Sequence, residues 1–254
     1  MQKLFNYAAV AIIGLLSVAC SKPAQQETTS DESTPNMLTE AEKSAGWQLL
    51  FDGSTLDGWK RYNRDTIGPL WSVKEGAIIC DGTGFGEGSG DIGGSLMTTQ
   101  SFGNFELTAE WKISPGGNSG ILYHVVEGAD LGADYHTGPE YQVMDDDGWQ
   151  GGELMPAQKV GSNYDMFNAP TTKKVMPVGE WNTSKIVYNN GHVEHWLNGE
   201  KTVEFEEGSE EYNQRYQKSK WVDFPSWNKF KSGAISLQDH GAPVYFRSIK
   251  IKSL

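Results

Sequence analysis

The chain has 254 residues, with 33 acidic against 21 basic side chains and a net charge of −12. That balance excludes nucleic acid and anionic lipid headgroups as electrostatic partners and suits an uncharged substrate. Nine Trp and ten Tyr are more than an average core requires, and aromatic faces stack on sugar rings.

Lys3 precedes the apolar run Leu4 to Val18, which is too short to span a bilayer; residues 1–19 read as a secretory signal peptide. Ala19-Cys20 closes the run as in a bacterial lipoprotein, so Cys20 is expected to carry lipid and to anchor the exported chain at the outer membrane. Residues 20–40 are rich in Ser, Thr, Gln, Glu and Pro and hold almost no apolar side chain before Met37, the composition of a flexible tether. Residues 41–254 suffice for one domain with a sizeable core. With Cys20 lipidated, Cys80 has no disulfide partner and reads as a small buried hydrophobe.

Glu40 to Ala45 is expected to form one helical turn. Trp47 to Phe51 reads as a strand closed by Asp52-Gly53, and Trp71 to Val73 with Ala77 to Cys80 as a hairpin around Glu75-Gly76. Asp81 to Gly94 contains seven Gly; no Lys-Ser/Thr and no helix follow it, so it is a loop and not a phosphate cradle. Ser95 to Thr98 is a strand. Phe105, Leu107, Ala109, Trp111 and Ile113 then alternate with polar residues, the period of a half-buried strand. Ser114 to Asn118 is a turn, Gly120 to Val126 another strand, and Glu140 to Met144 a third, with Glu140, Gln142 and Met144 on one face. Two polar side chains side by side on a strand face need water or a ligand. A face carrying Glu140, Gln142 and His124 is therefore the candidate site.

The segment from Gly148 to Pro177 is long for a structureless connection and is expected to be a functional loop over that face. Ser184 to Tyr188, His192 to Leu197 and Lys201 to Phe205 form a meander, with Asn198-Gly199 as a type I′ turn signal. Glu210 to Trp221, capped by Ser209, is the one helix of any length expected. Gly233 to Gln238 and Val244 to Ile251 close the chain as strands. About a dozen short strands, Gly-rich turns and no internal repeat make an all-β sandwich or jelly roll.

Several motifs share an order with a known family. Trp47 to Gly53, Leu56 to Trp59, Pro115 to Ile121, Glu140-Tyr141-Gln142, Leu237 to Gly241 and Val244 to Arg247 resemble the 3-keto-disaccharide hydrolase family over residues 46–254. The resemblance implies a concanavalin A-like jelly roll of two curved antiparallel sheets, with the ligand on the concave face, and action on 3-keto-glycosides. Many members carry Arg where this chain has His124. A C3 ketone acidifies the C2 proton; a base removes it, the C1 substituent leaves, and water can then add. This requires a base, positive charge at the ketone oxygen and an acid for the leaving group. Glu140 is the candidate base, with His240 and His124 as acid/base residues. Gln142, Lys185, Asn118, Asp239, Tyr123, His136 and Trp71 are candidate substrate contacts, Lys185 at the developing oxyanion. No cofactor is required by the sequence. A divalent metal would polarise the ketone, with Glu140 and His240 as ligands; Asp145-Asp146-Asp147-Gly148 lacks the distal Glu of a calcium loop. The resemblance further implies a functional link to a sugar 3-dehydrogenase. The alternative reading is a non-catalytic, lectin-like lipoprotein on the same fold.

Overall fold

The computed structural model describes residues 34–82 and 92–254. The signal segment, Cys20 and the tether up to residue 33 lie outside the described residues, as does most of the Gly-rich loop. Short strands β1 (Gln48–Leu49) and β2 (Trp59–Arg61) precede a hairpin, β3 (Trp71–Lys74) and β4 (Ala77–Cys80), and a further short strand, β5 (Leu96–Thr98). The centre of the chain gives β6 (Phe105–Ile113), β7 (Asn118–Val125) and β8 (Glu140–Met144). The meander is β9 (Asn182–Asn189), β10 (His192–Leu197) and β11 (Glu200–Glu206), and the last strands are β12 (Ala234–Leu237) and β13 (Val244–Ser253). Among the described residues, two helices, α1 (Glu40–Ser44) and α2 (Glu210–Tyr216), complete the regular elements with three short 3₁₀ turns.

The strands make two antiparallel sheets, the concanavalin A-like jelly roll expected from the sequence. The larger runs β11-β10-β9-β6-β13-β4-β3, with β1 added beside β13; the smaller runs β2-β5-β12-β7-β8. β6 buries every second residue, from Phe105 to Ile113, between the sheets. Ile121, Tyr141, Val143 and Leu237 answer it from the smaller sheet. Inside, the Trp111 indole N–H donates to Ser184 Oγ at 2.8 Å, so this large ring is buried without an unmet polar atom. The hairpin turns follow their chemistry: Glu75-Gly76, Asn190-Gly191 and Asn198-Gly199 all take positive φ at both central residues, as type I′ turns demand.

Three local departures from the sequence pattern matter for the site. First, the domain begins before residue 41: Asn36 accepts from Ser248 N–H at 2.8 Å and donates to Gly76 O at 2.8 Å. Ser248 sits at φ 50 where β13 bulges, so the clean alternation expected of the last strand breaks there. Second, β7 bulges against β12: Ala234 pairs with Val125 and Ser236 with Leu122, leaving two β7 residues, Tyr123 and His124, opposite one on β12. Third, the expected helix from Glu210 to Trp221 stops at Tyr216. Ser219 donates its hydroxyl to Tyr216 O at 2.9 Å and accepts from Trp221 N–H, restarting the chain as a 3₁₀ turn, Lys220–Asp223.

β10 also buries His195, which packs 5.0 Å from the Tyr141 ring and 6.2 Å from that of Tyr123. Burial pulls its pKa down to about 3, opposed only by the Ser162 backbone. The unfolded imidazole takes a proton near pH 6.5. Below that value the unfolded state therefore binds a proton the native state refuses, and stability falls with pH by up to about 1.4 kcal/mol per unit until about pH 3. The melting temperature of His195→Leu relative to the parent should therefore climb steadily from pH 7 to pH 4. A constant difference over that range would mean that His195 does not titrate this way.

Candidate functional site

Glu140 opens β8, paired with Leu122 of β7. Tyr141 points into the sandwich, so alternation turns Glu140 to the outer face of the smaller sheet. Leu122, Ser236 and Met97 lie beside it in one row across β7, β12 and β5. The Glu140 side chain lies flat across Gly120. A Cβ added there would stand 2.8 Å from its Cδ and Cγ, and closer still to Oε1. Gly120 is thus the one residue type that leaves room for the carboxylate in this place. Tyr164 N–H donates to the backbone carbonyl of Glu140 at 3.0 Å, bringing the 161–167 segment along the outer edge of β8.

The same glycine holds the end of β12. Gln238 N–H donates to Gly120 O at 2.9 Å, and Ser119 Oγ donates to Gln238 O at 2.8 Å. This clamp carries Asp239 and His240 to the end of the face where Glu140 lies. Asp239 is fully buried and accepts from Gly94 N–H and Gly241 N–H, each at 3.0 Å. Both its oxygens therefore fix the loop, and it positions its neighbour rather than offering itself to a sugar. His240 is half-buried, its ring 5.9 Å from that of Trp149. Burial lowers its pKa, Asp239 opposing this and Lys220 adding to it, so the imidazole is neutral at pH 7. Lys220 stands at the mouth, its Nζ 4.5 Å from the ring centres of Tyr164 and Trp221 and 5.5 Å from that of Tyr135.

The remaining sequence candidates divide. Asn118 starts the same face of β7; it is buried, and its Oδ1 has no hydrogen-bond partner among the described residues. His136 is half-buried on the rim, its ring 5.0 Å from those of Tyr135 and Phe224, and burial lowers its pKa. Gln142 shares the face of Glu140, but its amide donates to Gln158 O at 3.0 Å and so anchors the covering loop.

Four candidates stand elsewhere. Tyr123 faces inward and is fully buried in the core. His124 follows it round the bulge at φ 57, so its ring turns inward too, 4.3 Å from the Tyr188 ring. Its Nε2 donates to Gly103 O at 2.9 Å. Simple alternation would have set His124 on the face of Leu122 and Glu140; the extra residue in β7 reverses it. Trp71 is buried in the core and donates to Gly94 O at 2.9 Å, beneath the loop that fixes Asp239, so no ring face remains for a sugar. Lys185 lies on the outer face of the larger sheet, its Nζ 4.0 Å from the Trp196 ring centre.

The Asp run is also accounted for. Asp145 accepts from Gly116 N–H and Gly148 N–H, while Asp146 accepts from Val160 N–H and pairs with Lys173 at 3.1 Å. These contacts tie the end of β8 to the β6–β7 turn and to the covering loop. Among the described residues, the one group of three potential metal ligands is His192, Glu194 and Glu204 on the larger sheet, where Lys201 pairs with both carboxylates at 3.0 and 2.7 Å. Glu140 and His240 belong to no such group.

The site gains residues that the sequence reading passed over. Asp134 is fully enclosed, accepts from Ser236 Oγ at 2.6 Å and from Tyr135 N–H at 3.0 Å, and so pins the 134–136 turn over the sheet. Burial raises its pKa, with Ser236 and Ser95 opposing. Trp149, Tyr164 and Lys220 come from the covering segments, and no local periodicity marks them.

Comparison with known proteins bears on the family and the fold. The family model described as the 3-keto-alpha-glucoside-1,2-lyase-like domain matches residues 46–252. A protein of Bacteroides thetaiotaomicron named 3-keto-disaccharide hydrolase is 33% identical over 290 aligned positions, covering 100% of both chains. A crystal structure of a candidate glycosyl hydrolase from Parabacteroides distasonis is 42% identical with a TM-score of 0.79, covering 87% of this chain and 100% of that one. A second candidate glycosyl hydrolase from the same organism is 26% identical with a TM-score of 0.59, covering 82% and 99%.

Proposed function

We propose that this chain, which belongs to the 3-keto-alpha-glucoside-1,2-lyase-like family, cleaves glycosides whose sugar carries a ketone at C3. The observation that carries the reading is the Glu140 carboxylate laid across Gly120, beside the clamped strand end that presents His240. The names of the relatives support glycoside cleavage in general.

In this reading Glu140 removes the C2 proton, and the electron pair moves into the C3 carbonyl to give an enolate. Lys220, the cation at the mouth, faces the charge that develops on the ketone oxygen. When the carbonyl re-forms, the C1–O bond breaks, and Glu140 returns its proton to the departing oxygen. The product at this stage is an enone with a C1–C2 double bond. Water then adds: neutral His240 takes a proton from it as the hydroxyl joins C1, and that proton goes on to C2. The sum is glycoside plus water giving a 3-keto sugar and the released alcohol. The substrate's ketone must be supplied by a dehydrogenase acting at C3.

The test compares a 3-keto-glucoside with its unoxidised parent, with and without chelator, following the released alcohol. Release from the ketone alone supports the reading, whereas sugar binding without release, or equal cleavage of both, refutes it. Loss of turnover in chelator, restored by a divalent cation, would place a metal in the reaction. Two variants separate the roles. Lys220→Met should slow release while barely changing binding. His240→Gln should still eliminate but stall hydration, so that the ultraviolet absorbance of the enone accumulates. Since burial lowers the His240 pKa, hydration in the parent should hold through mildly acidic pH and fail only below the ordinary histidine range. An unchanged product ratio in His240→Gln would take His240 out of the water step.

A further inference from the structure

Away from Glu140 and His240, a cavity of about 850 Å³ is lined by Tyr188, Glu207 and residues of the 212–231 segment. It is in the size range of small-molecule sites. Its floor is Glu207, whose side chain is 9% exposed. Glu207 accepts from Asn228 Nδ2 at 2.6 Å, from Tyr188 OH at 3.0 Å and from Lys231 Nζ at 2.7 Å. Asn228 Nδ2 also lies 2.7 Å from Tyr212 OH. The carboxylate and the ammonium thus neutralise one another, and an anion would have to displace Lys231 and face Glu207. The walls carry five side-chain amides: Asn104 and Asn190 bond to one another and Asn228 to Glu207, while Asn213, whose Nδ2 donates to Gly208 O at 3.0 Å, presents its carbonyl and Gln217 a donor and an acceptor side by side. Vicinal hydroxyls of a sugar ring match that spacing.

Ring faces are also present. Trp221, Trp227 and Tyr216 stack in series, with centroids 4.8 and 5.9 Å apart and planes within 7° and 15° of parallel. Trp227 is buried between its two neighbours, and the half-buried Tyr216 at the end of the stack is the ring that can meet a ligand in the cavity.

We infer that this cavity is a second carbohydrate site, taking a neutral oligosaccharide and taking no part in bond cleavage. It does not depend on the chemistry assigned to Glu140. The test is titration of the full chain with maltotriose, cellotriose, laminaritriose and mannotriose at millimolar concentration, read by saturation-transfer NMR and calorimetry. At least one should bind. Tyr216→Ala should weaken that binding about tenfold or more, whereas Glu140→Gln should leave it unchanged. Should Tyr216→Ala fail to fold, the double variant Asn213→Ala with Gln217→Ala, both at exposed helix-side positions, should give the same loss. Release from a small 3-keto-glucoside should stay at the parent rate in that double variant. The inference is overturned if no trisaccharide binds, if binding survives these cavity variants, or if Glu140→Gln removes it.

Discussion

Glu140→Gln is expected to release alcohol from a 3-keto-glucoside about 10³-fold more slowly than the parent, within the range general-base catalysis supplies. The substitution keeps the shape of the side chain across Gly120, exchanges one carboxylate oxygen for an amide NH₂, and removes the capacity to accept a carbon-bound proton. Glu140 is 4% exposed. The amide keeps the volume of this buried side chain, so the fold should be retained. The useful readout is the pair of values together. Lost turnover with an unchanged melting curve and retained sugar binding assigns Glu140 to the chemistry. Turnover within a few-fold of the parent would return Glu140 to the status of a structural strand-end residue, and the mechanism above would go with it.

Gly120→Ala is expected to cost about 10²-fold in turnover without touching any reacting group itself. The new methyl would occupy the space now filled by the Glu140 side chain, 2.8 Å from its Cδ and Cγ. The strand is not the part that yields. Gly120 is absent from the positive-φ glycines, and Ala is the better residue for a strand interior. The Glu140 side chain must swing away instead, and a carboxylate misplaced by an ångström no longer meets the C2 proton. Shortening that side chain makes room again. The double variant Gly120→Ala with Glu140→Asp should therefore lose less activity than the product of the two single losses. Strict multiplication of the two losses would show that Gly120 and Glu140 do not act through one contact.

Much of this molecule can be read from its residue order. The alternation of Phe105 to Ile113 foretells a strand with one buried face, and Asn198-Gly199 foretells its turn, because both follow from backbone geometry within a few residues. The same holds for Glu140 and Gln142 facing one way from β8. His240 was legible as a residue at a strand end. Trp149, Tyr164 and Lys220 were not, since their place depends on covering segments without periodicity, held by contacts such as Tyr164 N–H to Glu140 O. His124, Tyr123, Trp71 and Lys185 all carry side chains suited to binding a sugar, yet each is turned elsewhere.

By itself the sequence determined which stretches alternate, where they turn and which carboxylate stands on a strand face, because period and turn chemistry are local. Tertiary structure alone decided that His124 turns inward, that the Glu210 helix breaks to bring Lys220 to the mouth, and that Glu140 and the end of β12 meet at Gly120. A bulge exists only relative to the strand it pairs with, and a side chain's reach has meaning only against what already fills the space around it.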